Sequence, residues 1–557
     1  RFEFQRLHGM GEALYDHLLD NPALAGNGIA NSTKIKCRVY APVGSFRELL
    51  PYLVRRLLEN GANTSFVRQV HQQDNTALTL SPAIRLKQQK TLHNDRISTP
   101  PRLYLPHRKN SRGLAIEDRS TQQTLKAQLQ RFHQHQWAFS DDIAVYSPAQ
   151  PQQQVGSYPS ITAEQCIDAI ENAQDGFDHW HAVAITERAR LLERIADLYE
   201  ENRVELIALL MRESGKTLPN AVGEVREAVD FCRYYAAQAL QTLSPQILPG
   251  PTGESNRLLT EGRGVFLCIS PWNFPLAILT GQIVAALVAG NSVLAKCSQL
   301  TPLIAARAVE LMHTAGIPAQ ALHYLPAPAS HVESALLTHP ALAGVMFTGS
   351  NVVAQRLQRA LARRDGPMLP LIAETGGMNA MIVDSSALPE QVVKDVTTSA
   401  FDSAGQRCSA LRVLYLQEDI ADTVLNLLTG HLATLRLGNP WQWNTDIGPT
   451  ISASTRDDIC AHISDMSTKG RLLYQAPPST ECQGYFVPPT LLRLQHLQEL
   501  KQEVFGPVLH VIRFRAQALD EVIDQIKACG YGLTFGVHTR IERTWQRLVK
   551  EIPAGNI

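Results

Sequence analysis

The 557-residue chain has no Cys-x-x-Cys pair, no excess of charge of either sign and no apolar run long enough to cross a membrane. Each absence removes a class of function. Nine scattered cysteines, an odd number (Cys37, Cys166, Cys232, Cys268, Cys297, Cys408, Cys460, Cys482 and Cys529), make no disulfide framework and fit a reducing, cytoplasmic setting. Lys+Arg and Asp+Glu both number 52, which leaves no net field for nucleic acid or an anionic membrane surface and points to a small-molecule task. The most apolar segment, 276–288, is interrupted by Thr280, Gly281 and Gln282 and falls short of the roughly 20 residues a span needs. It reads as a buried helix. His133 with His135, and His179 with His181, lack a third ligand, so no metal is expected. Gly9-Met10-Gly11 lacks the third glycine of a dinucleotide fingerprint.

What is present centres on residues 369–410. Glu374 and Cys408 lie 34 positions apart, each among small residues: Thr375, Gly376 and Gly377 follow the acid, and Gly405 precedes the thiol. Such residues let backbone approach a ligand closely. A thiolate is a nucleophile and a carboxylate can serve as its general base or that of water, so the pair suggests covalent catalysis through sulfur. Upstream, the apolar strand 264–268 runs into Ile269-Ser270-Pro271-Trp272-Asn273-Phe274-Pro275. That places Asn273 in a proline-fenced loop at a strand end, where its amide can donate to an oxyanion.

At 61.6 kDa the chain exceeds one ordinary core, and two or three units are expected. Residues 1–70 alternate strand (1–5, 37–40) and helix (11–20, 46–60) signals, a βαβα piece of something larger. From about 68 to 119 the chain is polar and reads as a linker. Helices are expected at 186–202 and 224–242. Strands at 265–269, 292–296 and 344–347 then alternate with helices at 276–289, 302–315 and 352–363, and the pattern resumes through 380–383, 391–401 and 411–415. This alternation predicts an α/β fold with doubly wound parallel sheets, which bind ligands at strand carboxyl ends. Lys296 ends one such strand. Phe347-Thr348-Gly349-Ser350 runs into a helix whose N-terminus could face a phosphate.

Four separated motifs, the Asn273 loop, Glu374, Gly405-Gln406-Arg407-Cys408 and Glu503-Val504-Phe505-Gly506-Pro507, resemble the aldehyde dehydrogenase superfamily in the same order and at similar spacing. The resemblance implies Cys408 as nucleophile, Glu374 as the base for water, Asn273 with the Cys408 N–H as oxyanion donors, and NAD as cofactor. It further implies cofactor contacts from Ile269, Ser270, Pro271, Trp272, Lys296, Gln299, Gly349, Ser350, Glu503 and Phe505. Arg407, Ser409 and Phe274 would face the substrate. The family usually carries an acid where this chain has Gln299, so NADP is also compatible.

The stretch 2–11, the run 40–44 and residues 52–66 resemble the end of the proline dehydrogenase barrel of the bifunctional proline utilisation A family. There Arg55 and Arg56 would clamp the proline carboxylate, with Tyr40, Tyr52 and Glu59 completing the pocket. The implied organisation is a partial (β/α)8 barrel remnant over 1–70, a linker over 71–120, an NAD-binding domain over 121–373 and a C-terminally incomplete catalytic domain over 374–557. The chain lacks an initial methionine and ends at Gly555-Asn556-Ile557, and it is expected to be cut at both ends. The implied reaction is oxidation of the small-molecule aldehyde L-glutamate γ-semialdehyde to glutamate. FAD would belong to the full-length parent only. That parent is implied to be a cytoplasmic homo-oligomer, with room for a DNA-binding domain and for peripheral membrane association. A fatty or aromatic aldehyde substrate, or a scaffold without turnover, are the competing readings.

Overall fold

The computed structural model describes residues 3–20, 36–61, 96–478 and 483–557. The chain forms two compact units, Arg1–Ile97 and Ser98–Ile557. In the first, β1 (Phe4–Leu7) pairs in parallel with β2 (Cys37–Tyr40), and helices span Glu12–Asp20 and Phe46–Gly61. The first strand begins three residues later than expected, and Arg1 and Phe2 lie outside the described residues. Parallel strands are ordinarily covered on both faces. Here Phe46 (74%), Leu57 (72%) and Leu58 (70%) stand exposed, as befits two βα steps of a barrel that needs all its strands to close.

The second unit takes in more of the chain than expected. Of the predicted 71–120 linker, 71–95 lies outside the described residues, and from Ser98 the chain packs as a strap on this unit. Ser111 is fully buried, its N–H and hydroxyl donating to the two oxygens of Asp230, while the Arg112 N–H donates to Glu200. The polarity that resembled a solvated linker is used in these bonds. Next come the three-stranded sheet β3 (Trp137–Ala138), β4 (Ile143–Tyr146) and β5 (Gln154–Tyr158), in the order β3-β5-β4. Four helices follow, Ala163–His181, Ile185–Glu201, Arg203–Glu213 and Leu218–Thr242, and then the hairpin β6 (Gln246–Leu248) and β7 (Asn256–Leu258).

Two sheets carry the rest. Strands β8 (Val265–Ile269), β9 (Ser292–Lys296), β10 (Leu322–Tyr324), β11 (Leu342–Gly349) and β12 (Leu371–Thr375) form an all-parallel sheet in the order β10-β9-β8-β11-β12. The order reverses between β8 and β11, which opens the ligand crevice outside their carboxyl ends. β8 is apolar at successive positions because both faces are covered: Val265 and Leu267 enter one core, Phe266 and Cys268 the opposite one. The second sheet joins β13 (Ala380–Val383), β14 (Val413–Gln417), β15 (Leu472–Gln475), β16 (Thr490–Arg493), β17 (Val508–Phe514) and β18 (Phe535–His538) in the order β15-β16-β17-β14-β13-β18. Only the edge strand β15 runs antiparallel. The expected division at 373/374 falls inside β12, whose pairing Thr348↔Glu374 and Gly349↔Thr375 keeps Glu374 on the first sheet. No helix among the described residues is long and apolar enough to cross a membrane.

Candidate active site

Cys408 lies between the helix Pro389–Phe401 and β14, in a loop that opens with three consecutive left-handed residues, Ser403 (φ 58°), Ala404 (φ 55°) and Gly405 (φ 66°). A Cβ at Gly405 would collide with the Gly506 carbonyl, so glycine is required there. The loop's carbonyls are then taken one after another by side-chain donors. Arg412 Nη1 donates to Gly405 O (2.7 Å), Asn273 Nδ2 to Gln406 O (3.1 Å) and Arg412 Nη2 to Arg407 O (2.7 Å). Asn379 Nδ2 reaches both Cys408 O (2.6 Å) and Ala410 O (2.9 Å). The Cys408 thiol is half-buried and raised above its ordinary value, first by burial and then by the charge of Glu503; the N–H groups of Ser409 and Cys408, and Arg412, pull the other way.

The two acids named from the sequence stand differently toward this loop. Glu374 is exposed on the edge strand β12. Glu503 Oε1 accepts from Arg412 Nε (3.0 Å) and Nη2 (2.8 Å), a pair whose arginine side chain is 1% exposed. Burial pushes the Glu503 carboxyl up, and Arg412 with the Gly377 N–H pulls it down. A guanidinium keeps its proton in proteins, so Arg412 brings a buried positive charge against the Glu503 carboxyl. A Cβ on Gly376 would collide with the Glu503 carboxylate, which ties Glu503 to the backbone directly after Glu374.

The Asn273 loop is fixed from behind. Glu224 Oε1 accepts the N–H groups of Leu276 (2.8 Å) and Ala277 (3.3 Å), and its other oxygen pairs with Lys216 (2.9 Å), both side chains being buried. The Lys216 ammonium lies 4.1 Å from the centre of the Phe274 ring, and Trp272 packs edge-on against Phe505 at 5.6 Å. Arg407 pairs with Asp402 (2.7 Å) and also bonds Asn220, so its charge is already met within the chain. Ser409 is exposed.

Among the helices that start at the carboxyl end of the first sheet, three are longer than ten residues, and their N-termini are treated differently. Glu224 fills that of Ala277–Val288, and Glu213 fills that of Pro302–Thr314 through Leu303 N (2.6 Å) and Ile304 N (2.9 Å). Burial pushes the Glu213 carboxyl up to about 8. The helix Asn351–Ala362 is capped only by the neutral Ser350 hydroxyl, on Val353 N (3.3 Å), which leaves its positive end open to an anion. Lys296 ends β9, its ammonium lowered by burial, and the exposed Gln299 hydrogen-bonds the Tyr158 phenol. Two buried oxygens near the end of β8, Ser270 Oγ and Gln282 Oε1, have no hydrogen-bond partner among the described residues.

The structure therefore joins the sequence-predicted Asn273, Glu503 and Cys408 through hydrogen bonds. Sequence reasoning missed Arg412, Asn379, Lys216, Glu213 and Glu224. A lone arginine inside Ala410-Leu411-Arg412-Val413-Leu414 was one available signal, since a charge in an apolar run implies a buried partner. In the first unit, Tyr40 and Arg55 are exposed, Tyr52 is half-buried, and the Arg56 guanidinium stands 5.2 Å from the centre of the Tyr52 ring. The Glu59 side chain lies outside the described residues.

The aldehyde dehydrogenase family model matches residues 137–557, and the proline dehydrogenase model matches residues 1–69. The chain is 46% identical to the bifunctional protein PutA of Klebsiella aerogenes over its whole length, which is 43% of that protein; it spans under half the length of the curated PutA relatives it matches. It is 33% identical to the 1-pyrroline-5-carboxylate dehydrogenase of Anoxybacillus flavithermus over 75% of this chain and 81% of that one. Among solved structures, a Bradyrhizobium japonicum PutA variant superposes with a TM-score of 0.79 at 46% identity, covering 100% of this chain and 54% of that one. A Thermus 1-pyrroline-5-carboxylate dehydrogenase with bound NAD gives 0.75 at 29% identity, over 80% and 90% of the two chains. With the motif order, the crevice and these matches in agreement, the chain belongs to the aldehyde dehydrogenase family, with a proline dehydrogenase segment ahead of it as in the PutA proteins.

Proposed function

We propose that this chain oxidises L-glutamate γ-semialdehyde, the open form of 1-pyrroline-5-carboxylate, to L-glutamate, the second step of proline catabolism. Similarity to 1-pyrroline-5-carboxylate dehydrogenases over 81% of their length supports the substrate, and the proline dehydrogenase segment supports the pathway. The observation that carries the reading is the Cys408 loop. Its carbonyls are bound by Asn273, Asn379 and Arg412, and two backbone N–H groups act on the sulfur.

In this mechanism the Cys408 thiolate attacks the aldehyde carbon, forming a C–S bond and an alkoxide. The Cys408 N–H and the second amide hydrogen of Asn273, the first being held by Gln406 O, stabilise that oxygen. A bound cofactor would supply the hydride acceptor, and the carbon that loses hydride becomes a thioester on Cys408. Glu374 then takes a proton from water, the water oxygen bonds to the acyl carbon, and the C–S bond breaks to release the acid and the thiolate.

The residues at the crevice fit a dinucleotide. Ser270 and Gln282 offer unpartnered oxygens, Gly349 and Ser350 lead to an open helix N-terminus, and Lys296 and Gln299 stand at the end of β9. Ile269, Pro271 and Trp272 would flank it, and Glu503 with Phe505 would receive its nicotinamide end. NAD is the favoured cofactor, and the neutral Gln299 also accommodates NADP. The same reading gives the parent an FAD-dependent proline dehydrogenase barrel, a homo-oligomeric state and a cytoplasmic place.

The test uses the full-length protein. Cys408→Ala should abolish NADH formation while cofactor binding persists, and iodoacetamide should inactivate the enzyme by labelling Cys408. Inactivating modification of Cys268 or Cys297 would overturn the reading, since both thiols are buried, and burial raises Cys297 to about 12.

A further inference from the structure

Resting on the reading of Cys408 as nucleophile, we propose that Arg412 is a positioning residue whose buried guanidinium aims the Cys408 backbone N–H and holds Glu503 in register with it.

A trans peptide is planar, with C=O and N–H pointing in opposite directions. Fixing the Arg407 carbonyl therefore fixes the direction of the Cys408 N–H, the group expected to meet the oxyanion. Arg412 Nη2 does this at 2.7 Å, together with the Ala410 N–H at 3.1 Å, and Nη1 holds the Gly405 carbonyl at 2.7 Å. Asn379 acts likewise one peptide later: by holding Cys408 O it directs the Ser409 N–H. Both N–H groups pull the Cys408 thiol down against its burial.

The loop does not take this shape unaided. Ser403 and Ala404 have positive φ without being glycine, a conformation that persists only where the surroundings over-determine it. The bonds of Arg412 to Gly405 and Arg407 lie just beyond that turn, on the side of the nucleophile. Nη1 also reaches the Gly506 carbonyl (3.5 Å), while Nε and Nη2 donate to Glu503, which accepts the Gly377 N–H in turn. One cation thus bridges the nucleophile's backbone and the acid expected at the nicotinamide ribose. Lysine cannot replace it, since a single ammonium has no rigid fork to bind two carbonyls and a carboxylate at once. Behind Arg412, the His510 ring bonds the Arg412 carbonyl (3.2 Å) and the His462 ring (2.9 Å), which backs the residue without touching its guanidinium.

The test compares wild-type full-length protein with Arg412→Lys and Arg412→Gln. Four quantities are read: thermal midpoint, NAD affinity, steady-state constants for the semialdehyde, and the iodoacetamide rate at Cys408 as a function of pH. A folded Arg412→Lys should lose turnover by about 10²-fold, the scale of one lost oxyanion donor, with KM for the aldehyde within a few-fold. Its alkylation midpoint should move to higher pH, because the Cys408 N–H no longer faces the thiolate. Arg412→Gln, which keeps an amide donor without needing a counter-charge, should retain more turnover than a variant without any donor, Arg412→Met. A folded Arg412→Lys with the wild-type alkylation profile and kcat would overturn the proposal. So would variants that lose only thermal stability while the profile stays fixed. Alkylation needs no substrate, so this outcome is separate from the assay that would reject the semialdehyde itself.

Discussion

The two parallel sheets of the second unit hold their working loops by opposite means. On the five-stranded side the fixed groups are N–H donors, and buried carboxyls hold them: Glu224 on Leu276 and Ala277, Glu213 on Leu303 and Ile304. On the six-stranded side the fixed groups are carbonyls, held by the donors Arg412, Asn379 and Asn273. The difference shows what each loop keeps available. Filling two helix N-termini with carboxyls leaves the Ser350-capped helix as the place for an anionic group. Occupying the carbonyls around Cys408 leaves N–H groups for a developing oxyanion.

The largest effect that separates the two sides concerns Glu374, which belongs to the first sheet and which the proposed mechanism makes the base for chemistry on the second. Glu374→Gln should form the thioester and stall, giving one burst of NADH in rapid mixing and turnover reduced by ~10²–10⁴. Absence of the burst would place Glu374 in an earlier step. On the carboxyl-held side, Glu224→Ala strips the Asn273 loop of its anchor and strands the buried Lys216 ammonium, for a loss of about 3–5 kcal/mol in denaturant unfolding. A loss below about 1 kcal/mol, the scale of a surface pair, would show that the anchor is dispensable.

The two sides should also carry opposite pH signatures. Burial raises the Glu213 carboxyl to about 8, so between about 4.5 and 8 the folded state keeps a proton that the unfolded chain releases, and stability declines as pH rises through that window. Burial lowers the His510 imidazole to about 3, so the folded state refuses a proton that the unfolded chain accepts, and stability declines as pH falls from about 6.5 towards 3. Each slope is at most about 1.4 kcal/mol per pH unit. Unfolding titrations of Glu213→Gln and His510→Phe should each flatten one arm and leave the other. The smallest effect is on cofactor choice: Gln299→Glu should raise the preference for NAD over NADP by about tenfold, or about 1.4 kcal/mol. Equal exclusion of NADP by both forms would assign the choice to another residue.

Much of this was legible in the sequence, for reasons that differ by element. Strands 265–269, 292–296 and 380–383 match expectation because a strand buried on both faces is an unbroken apolar run. β12 was not read as a strand: Glu374, Thr375, Gly376 and Gly377 interrupt its pattern, and an edge strand tolerates that. The helix predicted from Glu224 begins at Leu218, because Pro219 sits in the first turn of the helix, where a proline is tolerated. Glu224, the first residue of the expected helix, is buried well inside the observed one. Cys408, Glu374 and Asn273 belong to multi-residue motifs. Arg412 and Asn379 act alone, through backbone carbonyls that leave no trace in side-chain pattern.

The connection between β12 and β13 has a mechanical consequence. Only residues 376–379 separate Thr375 at the end of one sheet from Ala380 at the start of the next. Fully extended, the five steps from Thr375 to Ala380 reach roughly 18 Å. Glu374 lies at one end of this short tether, and Asn379, which grips the Cys408 carbonyl, at the other. The covalent length of this tether caps how far the edge carrying Glu374 can part from the loop that Asn379 grips. Under the proposed mechanism, the gap that would admit first an aldehyde and then a water molecule has its upper limit set by chain length.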